Sequence, residues 1–342
     1  MKLTKLAYAI VVIVALFGSS SCNKSPLGDI QQETQTPIGF SNIITKASLS
    51  DLQADGFGVW ATTSSSVNSS AVILTNEKVY LEGTEWTYDN TRYWIDDTKF
   101  YFLAVHPYSK DNSPVEEHSI TEEGVSYTVY TMDVTTPTTA DYDPLVATNV
   151  TDTSVEGYAT TVPLNFEHMM CKVNLKVIQD FDKTPDFDYY VSKVTISGVK
   201  GSGTYVRSPA EDIFTSFWLF DGATTRTFEK SFTTPVRLRN PDTADKKVVL
   251  TVFGEGLLLI PQQITTNAMR VRIDYYYDVD TSDDDMGEAH YVESFIPASN
   301  IWESNKAVTY VIALSDQKDI TFATPTIEPW GSPQTGGTII IK

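Results

Sequence analysis

The chain has 342 residues, with 25 Lys and Arg against 44 Asp and Glu and a formal net charge of −19. That excess of acid argues against nucleic acid and anionic lipid headgroups as partners, since both are held by basic surfaces. Aromatic residues are plentiful, 18 Tyr and 16 Phe, so sizeable cores can be filled, and a prior of about 150 residues per domain points to two domains.

Residues 1–21 have the layout of a signal peptide. Lys2 and Lys5 precede an apolar run from Leu6 to Phe17, and Gly18-Ser19-Ser20-Ser21 follows. A membrane-spanning helix needs about 20 apolar residues, and this run stops short of that before the small residues of a cleavage site. Cys22 stands directly after them and resembles the acylated cysteine of a bacterial lipobox, with Ser19 where the pattern usually carries Leu. Cys22 is therefore the expected lipidation site, with palmitate-type acylation and an outer-membrane anchor as its consequences. Removing the leader takes away two lysines and no acid, so 25 less two basic residues against 44 acidic ones leave a mature charge of −21. Cys171 is the only other cysteine. With Cys22 acylated no internal disulfide can form, and Cys171 reads as a small buried hydrophobe.

From Cys22 to Lys46 the chain is polar and turn-rich, and only Ile38-Gly39-Phe40 and Ile43-Ile44 look strand-like. This is a tether followed by one weakly held strand. Beyond it apolar residues alternate at a period of two far more often than at three and four, so strands are expected throughout. Phe100–Val105 is continuously apolar and suits a strand in the middle of a sandwich. The polar stretch Val150–Gly157 is the best break in the chain, which places one half at residues 47–160 and the other at 161–342.

In the second half, Val173, Leu175 and Val177 share one face, and Met269, Val271, Ile273 and Tyr275 do the same with Arg270, Arg272 and Asp274 opposite. These are half-buried strands. Lys247–Phe253 and Ala307–Leu314 are more continuously apolar and suit strands in sandwich centres. Turns rich in Gly, Pro, Asn and Asp separate the runs, which favours antiparallel sandwiches over a βαβ sheet that needs intervening helices.

Along the chain come, in order, Ile44-Thr45-Lys46-Ala47, Phe57-Gly58-Val59-Trp60, Trp86-Thr87-Tyr88, Tyr93-Trp94 and Tyr101–Pro107. Val162–His168, Cys171–Val177, Leu258–Gln262, Ile320-Thr321-Phe322 and Glu328-Pro329-Trp330 follow. Taken together, in this order and spacing, these segments resemble the fimbrillin family of Bacteroides-type pilus proteins. The resemblance implies an all-β protein of two tandem transthyretin-like antiparallel β-sandwich domains, exported as a lipoprotein to the cell surface. It implies assembly with other fimbrial subunits by strand exchange. A protease cuts after a basic residue, the first strand leaves, and an extended C-terminal strand of the next subunit fills the groove. Lys46-Ala47 is the expected cut, with lysine where many relatives carry arginine. Thr338-Ile339-Ile340-Ile341, after Gly336-Gly337, is the candidate donor strand, and it equally suits the last strand of the C-terminal domain folded back in place.

Catalytic and cofactor signatures are missing from the sequence. The histidines, His106, His118, His168 and His290, form no i, i+4 pair, which argues against zinc, and no nucleophile elbow or phosphate loop is present. His168, beside Phe166 and Met169-Met170, reads as a packed histidine. Asp278–Glu288 lacks the glycine of a calcium loop at its sixth position and reads as a solvated hairpin tip. Asp242-Thr243-Ala244 resembles an O-glycosylation motif of exported proteins in this bacterial group. The expected function is thus a non-enzymatic structural and adhesive subunit without cofactor, its host or bacterial surface ligand left open. The alternative is a surface glycan-binding lipoprotein that stacks sugars on Trp86, Tyr93 and Trp94.

Overall fold

The computed structural model describes residues 35–45, 49–64, 72–109, 115–122, 125–135, 143–182, 184, 188–210, 213–220, 224–240, 247–278, 286–298, 301–316, 319–331 and 334–335. Among them the first half contributes β1 (Gly39–Thr45), α1 (Leu49–Asp55), β2 (Phe57–Ser64), β3 (Val72–Glu82), β4 (Glu85–Thr87), β5 (Lys99–His106), β6 (Val115–Glu122), β7 (Val125–Thr135), β8 (Leu145–Asp152) and β9 (Thr161–His168). The second half continues with β10 (Cys171–Gln179), β11 (Asp188–Lys200), β12 (Ser202–Ala210), β13 (Ile213–Leu219), β14 (Thr225–Arg237), β15 (Leu250–Thr251), β16 (Leu257–Leu259) and β17 (Gln262–Gln263). It ends with β18 (Arg270–Asp278), β19 (Glu288–Phe295), β20 (Ile301–Trp302), β21 (Lys306–Asp316), β22 (Asp319–Phe322), β23 (Thr326–Pro329) and β24 (Gln334–Thr335). The chain is all-β, as the period-two alternation requires.

An eight-stranded sheet of order β24-β1-β9-β8-β5-β2-β3-β4 encloses the first core. Phe40 on β1 meets Phe57 on β2 and Phe102 on β5 edge-on, at 6.5 and 6.2 Å between centroids. Those strands stand four and three places away in the sheet order, so the sheet folds over on itself. β5 explains its own unbroken apolar sequence. Phe100, Phe102 and Ala104 face this core, while Leu103 and Val105 point the other way into a separate cluster with Trp60, Val146, Met132 and Tyr205. Both faces are buried, so alternation has no solvent side to mark.

The second core lies between two sheets, one ordered β15-β10-β21-β22, with β16 on β10 and β23 on β21, and the other ordered β14-β11-β18-β19. On β10, Cys171, Val173, Leu175, Val177 and Gln179 are all buried and the residues between them half-buried. On β18, Val271, Ile273 and Tyr275 are inward, following Met269, with Arg270 outward. Lys247–Phe253 departs from the sequence reading. Only Leu250–Thr251 is strand, and Val249 is 56% exposed. Lys247 makes an isolated bridge to Arg239, and Val248 donates to the Leu238 carbonyl, so backbone pairing rather than burial shapes the start of this run.

Two further departures concern pairing. β1 runs parallel to β9, and β10 runs parallel to β21 over eight residue pairs from Lys172↔Ala307 to Gln179↔Leu314. These partners are far apart in sequence, so the long connections that parallel strands need are supplied by whole hairpins rather than helices. By core membership, β9 belongs to the first half. Val162, Leu164 and Phe166 pack in the first core, Cys171 in the second, and Met169 and Met170 in the cluster between them.

A four-stranded sheet of order β13-β12-β7-β6 joins the halves. The β6–β7 hairpin grows out of the first half and the β12–β13 hairpin out of the second. They pair antiparallel from Ser202↔Thr135 to Arg207↔Tyr130.

Cys171 lies fully buried in the second core, and its thiol donates to the Leu259 carbonyl at 3.1 Å. Burial pushes its pKa far above that of a free thiol, which keeps it protonated and inert. In the native chain Cys171 is expected to resist an uncharged maleimide and to label only after unfolding in urea, a difference that peptide mass mapping reads directly.

Candidate functional site

The first strand sits in a built seat. Ile38, Phe40, Ile43 and Thr45 are fully buried, although the step from Phe40 to Ile43 breaks the alternation of a regular strand. The register explains it. Between Ser41↔Pro163 and Ile44↔Asn165 the strand β1 carries one residue more than β9. This is a bulge that shifts the inward set from 38 and 40 to 43 and 45. Ser41 and Thr161 join their hydroxyls at 2.7 Å across the same pairing. Upstream, Ile38 donates to the Arg92 carbonyl at 2.8 Å, Trp94 donates to the Thr36 carbonyl at 3.0 Å, and the Tyr88 hydroxyl donates to the Ile38 carbonyl at 2.8 Å. Burial pushes the Tyr88 phenol above its ordinary range, partly offset by its contact with Arg92.

β9 depends on this strand. Its pairs with β8 are only Leu145↔His168 and Val146↔Glu167, whereas β1 covers Thr161 through Phe166. Without β1 that stretch of backbone loses its pairing partner, and Val162, Leu164 and Phe166 lose part of their packing. The opposite edge of β1 meets β24 at Ile44↔Thr335 and Thr45↔Gln334. β24 immediately precedes Gly336-Gly337 and the apolar run in sequence.

Cys22, Lys46, Ala47 and Thr338, Ile339, Ile340 and Ile341 lie outside the described residues. The described flanks of the expected cut are Thr45, closing β1, and Leu49, opening α1. Asp242-Thr243-Ala244 and most of Asp278–Glu288 also lie outside. No group of three His, Cys, Asp or Glu residues suited to a metal occurs among the described residues. The same residues hold no helix long and apolar enough to cross a membrane.

The aromatic residues of the glycan reading divide. Trp86 and Trp94 are buried in the first core, Trp94 stacking edge-on against Phe100 at 4.9 Å and donating its indole N–H to the Thr160 carbonyl at 3.0 Å. Tyr93 alone is open, at 44% exposure. One ring does not make a sugar platform. His168 is packed, as its neighbours suggest. Its ring stacks on Trp330 at 3.6 Å and its Nδ1 lies 2.7 Å from the Asp143 carboxylate. Next to it, Asn305 donates to the Met170 carbonyl and Trp330 to the Asn305 carbonyl, both at 3.0 Å. The bulge, the β24 contact and the hairpin sheet have no mark in the sequence, because each depends on partners far along the chain.

These features define an all-β protein of several sheets whose first strand completes a sheet near the end of its order. Residues 45–330 match the fimbrillin-like family, and the chain belongs to it. It is therefore a fimbrial, cell-surface protein and not an enzyme. Among solved structures, a fimbrial protein from Bacteroides vulgatus is similar at 19% identity and a TM-score of 0.58, covering 86% of this chain and 99% of its own. Candidate cell adhesion proteins from Bacteroides uniformis and Bacteroides ovatus each match at 17% identity. They cover 86% of this chain and 99% and 98% of their own, with TM-scores of 0.45 and 0.47. No curated protein matches the chain in sequence.

Proposed function

We propose that this fimbrillin-like chain is a subunit that polymerises by strand exchange after export as an outer-membrane lipoprotein acylated on Cys22. A protease cuts between Lys46 and Ala47, β1 leaves, and an extended strand of another subunit replaces it beside β9. The observation that carries this reading is the seat of β1. It is a short N-terminal strand, held in a deep apolar trough, with the expected cut directly after it. A vacated trough exposes unpaired N–H and C=O groups and apolar side chains, and insertion of a strand satisfies both. Thr338–Ile341 is the donor we favour, on the hinge of Gly336-Gly337. The two cores correspond to two tandem domains that part at Met169-Met170.

Limited proteolysis of the full chain with a trypsin-like protease tests this. Wild type is expected to yield an N-terminus at Ala47 together with a ladder of detergent-resistant multimers, and Lys46→Gln to yield neither. Cleavage at Ala47 without multimers, or a sheared fibre whose subunits still begin at Cys22, sinks the mechanism.

A further inference from the structure

β13 is an edge strand that lacks the usual protection. It pairs with β12 from Thr204↔Leu219 to Ala210↔Ile213, and among the described residues no strand pairs with its other edge. Its sequence, Ile213-Phe214-Thr215-Ser216-Phe217-Trp218-Leu219, contains no charged residue and no proline. Every other edge strand of four or more described residues carries charge: Glu116 in β6, Lys230 in β14, Glu293 in β19, Asp319 in β22 and Glu328 in β23. Charges and prolines on edges are what prevent a sheet from pairing with another chain, and here they are withheld from one seven-residue edge in a strongly acidic protein.

The strand is also held ready. Tyr205 and Trp218 pack at 5.1 Å on the side of the cluster between the two cores. On the opposite face Phe217 is 49% and Leu219 44% exposed. Among the described residues β13 is thus anchored by one face and unpaired along its edge, with Phe217 and Leu219 exposed on its other face.

We propose that β13 pairs antiparallel with β13 of a second copy about a two-fold axis at Ser216, merging two four-stranded sheets into one of eight. The charge pattern selects this occupant. Copies carrying −19 repel where their charged edges meet, and β13 is the long edge whose seven residues bring no like charges together. The register is self-complementary. Ile213 stands opposite Leu219 of the second copy, Phe214 opposite Trp218, Thr215 opposite Phe217, and Ser216 opposite itself. Such an isologous contact closes as a dimer. It is lateral, uses neither β1 nor the C-terminal run, and does not rest on strand exchange.

The test uses the full, unprocessed chain. Sedimentation is expected to show a concentration-dependent dimer, and Phe217→Lys, at a half-exposed position, to weaken it at least tenfold. Ser216→Cys is expected to form a disulfide-linked dimer on mild oxidation. Opposed Cα atoms in an antiparallel pair lie about 4.5–5.5 Å apart, inside the range a disulfide spans. Mass mapping should find the two introduced thiols joined to each other, and removal of residues 338–342 should leave the dimer intact. Four results overturn the proposal: a monomer at all concentrations, a dimer indifferent to Phe217→Lys, oxidation that joins the introduced thiol only to Cys22 or Cys171, or a dimer lost with the C-terminal run, which would assign the edge to that segment.

Discussion

Replacing Asp188 by alanine is expected to cost about 3–5 kcal/mol of stability, the usual loss when one partner of a buried ion pair is removed. Asp188 opens β11 with its side chain 1% exposed, between two arginines. Arg239 reaches it through Nε at 2.5 Å, and Arg237 closes on its second oxygen. Leu238, between the arginines, is fully buried and donates its N–H to the Tyr189 carbonyl at 2.8 Å. The carboxylate therefore fastens the end of β14 to the start of β11. Its removal takes a counterion from Arg239, which is 9% exposed and lies over the ring of Phe181 at 4.9 Å. Arg237→Ala should cost less, because that side chain is 25% exposed. Asp188→Leu combined with Arg239→Leu should recover part of the loss, since an apolar pair avoids the desolvation cost altogether. Equilibrium unfolding in urea of the three variants checks the order. Equal losses in Asp188→Ala and the double variant would refute the account.

Nothing in the sequence singled out Asp188, and the reason is general to this chain. A property carried by one strand's own side chains was legible. The alternation of β10 and β18 placed Val173, Leu175, Val177, Val271, Ile273 and Tyr275 correctly, and the apolar run of β5 marked a central strand, which the structure buries on both faces. A property that arises between distant strands was not legible. Asp188 meets Arg237 only because β11 and β14 pair at Tyr190↔Arg237, and a charged residue near a turn looks the same with or without such a partner. The composite sheet of β6, β7, β12 and β13 is of the same kind, since it forms only where two hairpins far apart in the chain meet. Lys247–Phe253 failed in the opposite direction. Its apolar letters promised a buried strand, yet only two residues pair as strand and Val249 faces solvent. In the candidate site, Ile38, Phe40 and Ile43 were noticed as apolar, but their odd spacing looked like weakness. The bulge turns that spacing into a continuous buried face.

That face makes Phe40→Ala the most informative single change in the first strand. Phe40 is fully buried and meets Phe57, Tyr88 and Phe102 edge-on, the Tyr88 ring at 5.7 Å between centroids. Truncating a buried phenylalanine typically costs about 3–5 kcal/mol, because the transfer energy is lost and a cavity remains. Here the cavity lies where strands β1, β2 and β5 converge, and Phe57 and Phe102 are themselves fixed by other rings, Phe57 by Phe166 at 5.0 Å and Phe102 by Trp94 at 5.8 Å. Little collapse is available, so the upper part of that range is expected in urea unfolding of the intact chain. The same variant separates a structural strand from an exchangeable one. If β1 is a permanent part of the core, the loss persists in every state of the protein. If β1 leaves on assembly, Phe40→Ala weakens only the unprocessed subunit. Proteolytic processing should then run faster, while fibres assembled from wild type and variant dissociate at the same denaturant concentration. A variant fibre that falls apart earlier than wild type would mean that β1 stays in place in the polymer.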